Sequence, residues 1–267
     1  MKISQEILNR KGARKAEDIP AKVIKLLNAG LIETANLTEW LAADQLAILK
    51  TTLKEIGQPK WYKKFETAVN SQKKISANNN VKVIGQLFGE NIKDKKDFLP
   101  LKTHSSDVVR SWACWAIAAQ QKTTKQLLTA MKPFAGDPHF GVREVVIFAT
   151  KERLAKDLDT AISILATWTK SKDENVRRYA AETLRPTGVW TKKITALHDQ
   201  PKLGLPILEP LKADPSLYVQ NAVANWLNDA SKSQPEWVIK LCKKWEKTSD
   251  HKATKYIIKR GLRTVNK

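Results

Sequence analysis

Apolar residues recur at helical spacing along almost the whole chain, beginning with Val23, Ile24, Leu26, Leu27 and Leu31. Positions i, i+3, i+4 and i+7 lie on one face of an α-helix, whereas a half-buried strand alternates apolar and polar residues. Segments that alternate in this way are nearly absent from the chain. The pattern therefore predicts an all-α protein.

Capping residues and helix breakers mark the predicted helix ends in the N-terminal third. Asn36 is a good N-cap for a helix that we expect to continue to Ile56, where a glycine and a proline end it. Another helix is predicted near residues 61–72, and the polar segment 76–80 is interpreted as a loop.

The chain repeats itself after about residue 100. Val109, Val142, Val176 and Val219 each follow a short turn with Asp and open an apolar helix, at intervals of 33, 34 and 43 residues. Each interval holds a second helix, and paired helices with a period of about 33 to 47 residues are typical of ankyrin, TPR, HEAT and armadillo stacks. The Asp and Val-Arg entries favour HEAT-like units. We therefore expect a HEAT-like repeat α-solenoid that is curved and has a basic concave face.

The predicted organisation is a basic mobile arm followed by one helical-repeat domain. Residues 1–16 have few apolar anchors and form the expected arm, and residues 17–267 form the domain. Within the domain, irregular helices are predicted over 17–100 and clearer repeats over 101–267. The charged run 93–97 marks the seam between them.

The chain carries a large positive charge. Its 267 residues include 47 Lys and Arg against 27 Asp and Glu, a formal net charge of +20, and its pI is near 9.9. Such a surface attracts polyanions, so nucleic acid is the leading partner. The alternatives are lysines that only maintain solubility and an anionic membrane surface. No signal-peptide run and no stretch of roughly 18 apolar residues supports the membrane.

Cysteine and histidine provide no sign of a metal or redox site. Cys114 and Cys242 lie in apolar helical patterns, so neither a disulfide nor a zinc site is expected, and a reducing cytoplasm is predicted. We expect a monomer without a metal or small-molecule cofactor. The histidines lack metal-ligand spacing and are interpreted as surface or loop residues; they are His104, His139, His198 and His251.

Arginine is concentrated in one part of the chain: five of the ten arginines lie between residues 143 and 185. Arginine forms bidentate contacts with phosphate, so this concentration predicts where a DNA backbone is held. The alternative is that the Val-Arg pairs form ion pairs with Asp between repeats. The predicted DNA-binding residues are Arg143, Arg177, Arg178, Arg185, Lys255, Arg260 and Arg263.

Three further residues are unusual for a purely structural repeat. Alignment on the valines places Glu182 and Asn225 at equivalent inner positions, where small apolar residues are expected. Trp190 follows a proline and a glycine in a loop, and is a candidate for contact with the face of a sugar or base. Packing beneath the repeat turn is the alternative for this tryptophan.

Two motifs stand close together in the C-terminal half. The first is Val176-Arg-Arg-x-Ala-x-Glu-x-x-Arg-Pro-x-x-x-Trp190, and the second joins Leu205-Pro-x-Leu-Glu-Pro-Leu-Lys-Ala-Asp-Pro-Ser-Leu-Tyr-Val219 to Val223-Ala-Asn-x-Leu-Asn-Asp229. Over about residues 137–263 the chain resembles the HEAT-like repeat alkylpurine DNA glycosylases, the AlkC branch more than the AlkD branch. The resemblance implies DNA alkylation repair, with duplex alkylated DNA in the concave groove and excision of cationic N-alkylated purines such as 3-methyladenine.

The resemblance places Glu182, Trp190, Arg178 and Asp229 on active-site positions, and Glu144 on a further acidic position. A cationic purine is a good leaving group, so the enzyme must stabilise an oxocarbenium-like sugar and place a water molecule. Asp229 is the first candidate for both tasks, with Glu182 and Glu144 beside it, and the face of Trp190 adds cation–π attraction. The rival functions are a non-catalytic binder of damaged or branched DNA and a protein-binding HEAT scaffold.

Overall fold

The protein is helical in all the regular structure of residues 3–188 and 191–265, which the computed structural model describes; no strand occurs in these ranges. The predicted all-α class is therefore confirmed. Short 3₁₀ helices occupy Ala16–Asp18, Pro59–Trp61, Lys95–Phe98 and Pro201–Gly204. The α-helices are α1 (Gln5–Leu8), α2 (Ala21–Asn28), α3 (Leu37–Ala42), α4 (Gln45–Glu55), α5 (Tyr62–Asn70), α6 (Ala77–Asn91), α7 (Leu99–Lys102), α8 (Asp107–Gln120), α9 (Thr124–Ala135), α10 (Phe140–Lys156), α11 (Leu158–Trp168), α12 (Glu174–Glu182), α13 (Thr195–Asp199), α14 (Leu205–Leu211), α15 (Leu217–Ala230), α16 (Pro235–Thr248) and α17 (Lys252–Gly261).

The valines that mark the predicted repeats are buried anchors near the start of long helices. Val109, Val142, Val176 and Val219 lie in α8, α10, α12 and α15, and all are buried. The second helices of the units are α9, α11, α14 and α16. The predicted helical-repeat architecture is thus confirmed, whereas its curvature and basic face stay predictions.

The chain folds into two compact units. The first comprises residues up to 120 together with 138–146, and the second comprises 121–137 together with 147–267. The charged run 93–97, predicted as a seam, overlaps a 3₁₀ helix inside the first unit. The division into an arm and one domain stays a prediction.

The core of the first unit depends on the close approach of α6 to α8. A Cβ atom on Gly85 would lie 2.7 Å from the carbonyl oxygen of Trp112 and 2.4 Å from Cβ of Trp115. The aromatic rings of Phe65, Phe88 and Trp112 pack beside this contact, with centroid separations of 5.0 and 6.0 Å. Only glycine allows the two helices to approach so closely.

Substitution of Gly85 by alanine is expected to lower the free energy of unfolding by about 1–3 kcal/mol, because the added methyl group overpacks the helix contact. This loss outweighs the gain of roughly 1 kcal/mol in helix propensity. Urea unfolding of the Gly85→Ala variant measures the change, with Gln86→Ala, at the next and exposed position of α6, as the control. Equal stability of both variants would contradict this close packing.

The predicted continuous helix from Asn36 to Ile56 is wrong, since the structure has two helices, α3 and α4, in this segment. Asn36 caps α3 as predicted, and its side chain accepts a hydrogen bond from the backbone N–H three residues later at 3.0 Å. Ala43 is extended, and the side chain of Asp44 accepts hydrogen bonds from two backbone N–H groups of the next turn, at 3.0 and 3.1 Å. Asp44 therefore starts a new helix within the apolar pattern.

The loop predicted over 76–80 is also wrong, because α6 begins inside it. The hydroxyl of Ser76 accepts a hydrogen bond from the N–H of Asn79 at 3.3 Å and caps the helix. The three asparagines of the first turn are weak helix formers. Burial of Val81 and Ile84 stabilises the helix despite them, since helix stability in proteins comes mainly from packing of an apolar face.

Residues 3–16, which lie in the predicted arm, make contacts within the first unit. Arg10 donates from Nε to Oε1 of Glu39 at 2.9 Å, and Glu39 is only 1 % exposed. Ile3, Ile7 and Ala13 pack against a buried apolar cluster of the first unit. The segment thus has fixed contacts, because a few apolar side chains and one arginine find buried partners.

His139 lies in the bend before α10, in agreement with the predicted surface or loop position, but it is buried. Its Nδ1 lies 3.3 Å from Oδ2 of Asp107, and its Nε2 lies 2.7 Å from the carbonyl oxygen of Thr34. Burial raises the pKa of the Asp107 carboxyl, and the positive charge of His139 opposes this shift. Polar partners on both ring nitrogens make the buried position acceptable.

Candidate active site

Glu182 and Asp229 converge on one arginine inside the second unit. Glu182 is the last residue of α12, and Asp229 lies in the last turn of α15. Arg185 stands between them, in the turn that follows α12. Pro186 disfavours helical conformation in the residue before it, so α12 stops in time for Arg185 to reach both carboxylates.

The guanidinium of Arg185 bridges the two carboxylates. Its Nη1 donates to Oε1 of Glu182 at 2.7 Å, while Nε and Nη2 contact Oδ2 of Asp229 at 2.9 and 2.8 Å. Burial by itself lowers the pKa of Arg185, but the charges of Glu182 and Asp229 outweigh it and raise that pKa. Three predicted site residues are thus brought together, although 44 residues separate Arg185 from Asp229.

Asp229 is enclosed by hydrogen-bond donors and is 3 % exposed at its side chain, against 13 % for Glu182. Besides Arg185, its Oδ2 accepts a hydrogen bond from the backbone N–H of Gly188 at 3.2 Å. Its Oδ1 accepts one from Nζ of Lys232 at 3.1 Å, and the Lys232 side chain is 47 % exposed. Oδ1 is therefore the oxygen that a movement of Lys232 would open to solvent.

Gly188 has a left-handed conformation that the site requires. Its φ angle is +65°, and a Cβ atom there would lie 2.5 Å from Oγ1 of Thr191 and 2.8 Å from Nζ of Lys151. Residues with a side chain rarely adopt this conformation, whereas glycine does so readily. The glycine thus allows its own N–H to reach Asp229 while a lysine packs against its other side.

Lys151 is a site residue that sequence reasoning missed. It lies in α10, is 4 % exposed, and donates from Nζ to the carbonyl oxygen of Arg185 at 2.8 Å. Burial, followed by the positive charge of Arg185, lowers its pKa to about 8, although the charges of Asp229 and Glu182 oppose this. A lysine within an apolar helical stretch, Val145-Val-Ile-Phe-Ala-Thr-Lys151, was the signal available in the sequence.

The lowered pKa of Lys151 predicts a pH-dependent stability. The folded chain loses this proton near pH 8 and the unfolded chain near pH 10.5, so between these values the unfolded state binds more protons and stability rises with pH. From pH 7 to 9 we expect this lysine to raise the free energy of unfolding by about 1 kcal/mol. Urea unfolding in this range should show the rise in wild type and in Lys156→Met, but not in Lys151→Met.

Two precautions sharpen this measurement. Burial raises the pKa of the Cys242 thiol to about 12, and this shift makes stability fall with pH above the ordinary thiol range, so the series ends at pH 9. Lys156 is exposed and lies on the same helix, α10, which makes it a matched control. Parallel pH profiles for wild type and Lys151→Met would disprove the assignment.

Arg177 has the structural role that was the alternative to phosphate binding. Its Nε and Nη2 donate to the two carboxylate oxygens of Asp214 at 2.7 and 3.0 Å, and its Nη1 donates to the carbonyl oxygen of Ser171 at 2.9 Å. The ion pair joins α12 to the turn before α15. Its predicted contact with DNA gains no support from this geometry, because the guanidinium is already occupied.

The other predicted cations have different surroundings. Arg178 is buried, and its Cζ lies 4.7 Å from the centroid of the Tyr218 ring. Lys255, Arg260 and Arg263 are exposed on or just after α17. Their role in DNA binding stays a prediction.

Three predicted residues lie outside this cluster or outside the described ranges. Arg143 and Glu144 belong to the first unit, and Arg143 donates to the carbonyl oxygen of Pro138 at 2.7 Å. Trp190 lies outside the described residues. The proposed roles of all three stay predictions.

The described residues hold no group of His, Cys, Asp and Glu that is suited to bind a metal ion. Among the same residues, no helix combines the length and the apolar character needed to cross a membrane. Cys114 and Cys242 are both buried.

Comparison with known proteins gives a family match over part of the chain. Residues 144–261 match the sequence model of the DNA alkylation repair enzymes. The chain is 44 % identical over 120 residues to the uncharacterized protein YhaZ of Bacillus subtilis (strain 168), an alignment that covers 45 % of this chain and 33 % of that protein. The chain thus spans about a third of the length of this relative.

Solved structures show the same helical-repeat fold. The alkylpurine DNA glycosylase AlkC of Pseudomonas fluorescens, bound to DNA containing an abasic site analog, superposes with a TM-score of 0.69 and 24 % identity, over 83 % of this chain and 62 % of that one. AlkD2 of Streptococcus mutans gives 0.60 and 23 %, over 79 % and 97 %. The fold is therefore that of the HEAT-like repeat proteins. Over residues 144–261 the chain is similar in sequence to the DNA alkylation repair enzymes, in agreement with the resemblance that its motifs indicated.

Proposed function

We propose that this chain is a DNA glycosylase of alkylation repair, which hydrolyses the N-glycosidic bond of cationic N-alkylated purines in double-stranded DNA. The observation that carries the proposal is the pair of carboxylates, Glu182 and Asp229, held on one guanidinium within the segment that matches the family. In a chain of charge +20 that only bound phosphates, carboxylates at this position would repel the DNA and weaken binding.

The two carboxylates would act electrostatically in the reaction. The alkylated base already carries a positive charge and leaves readily, so the reaction needs a negative group beside the oxocarbenium-like sugar and a correctly placed water molecule. Asp229 is held in one orientation by Arg185, Lys232 and the N–H of Gly188. Its Oδ1, once Lys232 moves aside, stabilises the sugar cation and orients the water, and the more exposed Glu182 supplies a second negative charge.

The DNA backbone is assigned to cations that the structure leaves exposed. Lys255, Arg260 and Arg263 lie at the surface on or just after α17, which packs against α15, the helix of Asp229. Arg178, on α12, contributes a guanidinium whose orientation the Tyr218 ring helps to hold. The enzyme acts in the cytoplasm, which fits a chain with two buried cysteines and no disulfide framework in its sequence pattern.

The test is release of free base from methylated genomic DNA by the wild-type protein. We expect release of 3-methyladenine or 7-methylguanine and the appearance of abasic sites, with no release from unmethylated DNA. The second candidate is a non-catalytic binder of damaged or branched DNA, which the 3 % exposure of the Asp229 side chain favours. Tight, salt-sensitive binding of DNA without any released base would establish that second function.

A further inference from the structure

Asn225 lies beside the candidate site, and its side chain has one hydrogen bond within the described part of the chain. It stands one helical turn before Asp229 on α15, and its Oδ1 accepts a hydrogen bond from Nη2 of Arg263 at 3.0 Å. A guanidinium only donates, so the oxygen of the carboxamide faces Arg263 and the NH₂ group faces away from it. Among the described residues this NH₂ group has no partner, which leaves two donors available.

Among the described residues, the hydrogen-bond acceptors that orient Arg263 are neutral. Besides Asn225, it donates from Nη1 to the carbonyl oxygen of Arg260 at 2.8 Å. Within the described part of the chain it forms no ion pair, in contrast to Arg177 and Arg185. A guanidinium held in place without a counter-ion is suited to bind an external anion.

A second guanidinium stands close to the first. Arg260 is exposed, with its Cζ 5.5 Å from the centroid of the Tyr256 ring, and it has no carboxylate partner among the described residues. Partial burial, and then the charge of Arg260, lowers the pKa of Arg263, while Asp229 opposes the shift. Two like charges held together indicate a binding place for an anion between them.

Asn225, Arg260 and Arg263, together with Tyr256, form what we call the α17 corner. The tyrosine of this corner is itself held in place. The hydroxyl of Tyr256 donates to Oδ1 of Asn221 at 2.8 Å, and the hydroxyl of Thr264 bonds Oδ1 of Asn228 at 2.8 Å. Asparagines of α15 therefore anchor the segment around α17 at three points, the third being Asn225. The donors of the corner are preorganised, which lowers the entropic cost of binding.

We propose that Asn225, Arg260 and Arg263 form a subsite for one phosphodiester group of the DNA, next to the nucleotide whose base is removed. This subsite rests on the proposed function and adds to it the phosphate that positions the reacting sugar against Asp229. Arg263 and the NH₂ group of Asn225 donate to the phosphate oxygens, and Arg260 adds its charge. Asn225 acts as a positioning residue, since it also orients Arg263.

The test measures the coupling between one phosphate and these side chains. Duplexes carry a stable abasic-site analogue, and one phosphodiester at a time on either side of it is replaced by an uncharged methylphosphonate. Binding is compared for wild type, Arg263→Ala and Asn225→Asp, the last of which places a carboxylate on Arg263 and neutralises it. Lys247→Ala, on the exposed face of α16, is the control.

At one position the methylphosphonate is expected to weaken binding by wild type and by Lys247→Ala about tenfold, and binding by Arg263→Ala and Asn225→Asp less than about twofold. Equal effects on all four proteins at every position would overturn the subsite. Displacement of the duplex by millimolar inorganic phosphate, with no coupled position, would assign the corner to free phosphate and would overturn it as well.

Base release, measured in parallel, separates the two proposals. Release by the wild type without a coupled phosphate would refute the subsite and leave the glycosylase in place. A coupled phosphate without any base release would refute the glycosylase and keep the subsite as part of a DNA-binding surface. Asn225→Ala serves as a further variant if Asn225→Asp fails to fold, and it is expected to reduce the coupling without abolishing it.

Discussion

Replacement of Asp229 by asparagine is expected to slow base release from methylated DNA at least about 100-fold, since a group that stabilises charge in the transition state is lost. Asparagine has nearly the same shape and its oxygen still accepts hydrogen bonds from Arg185 and from the N–H of Gly188. Affinity for a duplex with an abasic-site analogue should stay the same or rise, because one negative charge is removed. Single-turnover release and fluorescence anisotropy measure the two effects.

Asp199→Asn is the matched control for this experiment. It makes the same chemical change at an exposed carboxylate of the second unit, which pairs with His198 at 2.8 Å. We expect full release from this variant. A parallel loss of release and of binding in Asp229→Asn would show that Asp229 maintains the fold or the DNA surface instead of the reaction, and an active Asp229→Asn would remove it from the mechanism.

Replacement of Arg185 by methionine is expected to lower the free energy of unfolding by about 3–5 kcal/mol, because removal of one partner leaves buried charges uncompensated. Among the described residues, Asp229 keeps only Lys232 and one backbone N–H as partners, and Glu182 loses the guanidinium that it contacts at 2.7 Å. Methionine preserves much of the side-chain length and packs adaptably. The loss therefore reports mainly the missing charge, and urea unfolding at constant m-value measures it.

Lys232→Met provides the comparison, since it removes the other cation that touches Asp229. The Lys232 side chain is 47 % exposed, and exposed ion pairs contribute only about 0–1 kcal/mol. The two variants should thus differ by several kcal/mol according to the same principles. If both variants lost a similarly small part of the free energy of unfolding, the Arg185 bridge would stabilise the fold no more than an exposed ion pair does.

These experiments also decide between the enzyme and the binder. If the protein is a binder and the bridge through Arg185 serves only stability, Asp229→Asn should change the free energy of unfolding. Neither this variant nor the wild type should then release base. If it prepares Asp229 for the reaction, release should fall while duplex affinity is maintained. The buried position of Asp229 fits either case, and the reaction itself distinguishes them.

Much of the candidate site was predictable because its residues belong to local motifs. Glu182 and Arg185 are three residues apart, and they meet across the end of one helix. The resemblance to a known family placed Asp229 on an active-site position, but the pairing of Asp229 with Arg185, which spans 44 residues, was not predicted. Lys151 escaped prediction because no short motif connects α10 to the carbonyl oxygen of Arg185.

Apolar periodicity and the Val-Arg entries were sufficient for the all-α repeat architecture. Each buried valine opens its own helix, so the information is local to every unit. Local patterns failed where a polar side chain had two possible tasks. Asp44 was predicted to lie within a helix and instead caps a new one. Arg177 binds Asp214 across 37 residues, a contact that its local motif did not specify, and its role in DNA binding stays a prediction.

Those outcomes depend on which groups the packed helices bring within hydrogen-bond reach. A buried carboxylate requires a partner, and the partner nearest in space need not be near in the chain. Charge and motif thus predicted a DNA-directed member of this superfamily, while the ion pairs of Arg177 and Arg185 and the burial of Lys151 were decided by tertiary packing.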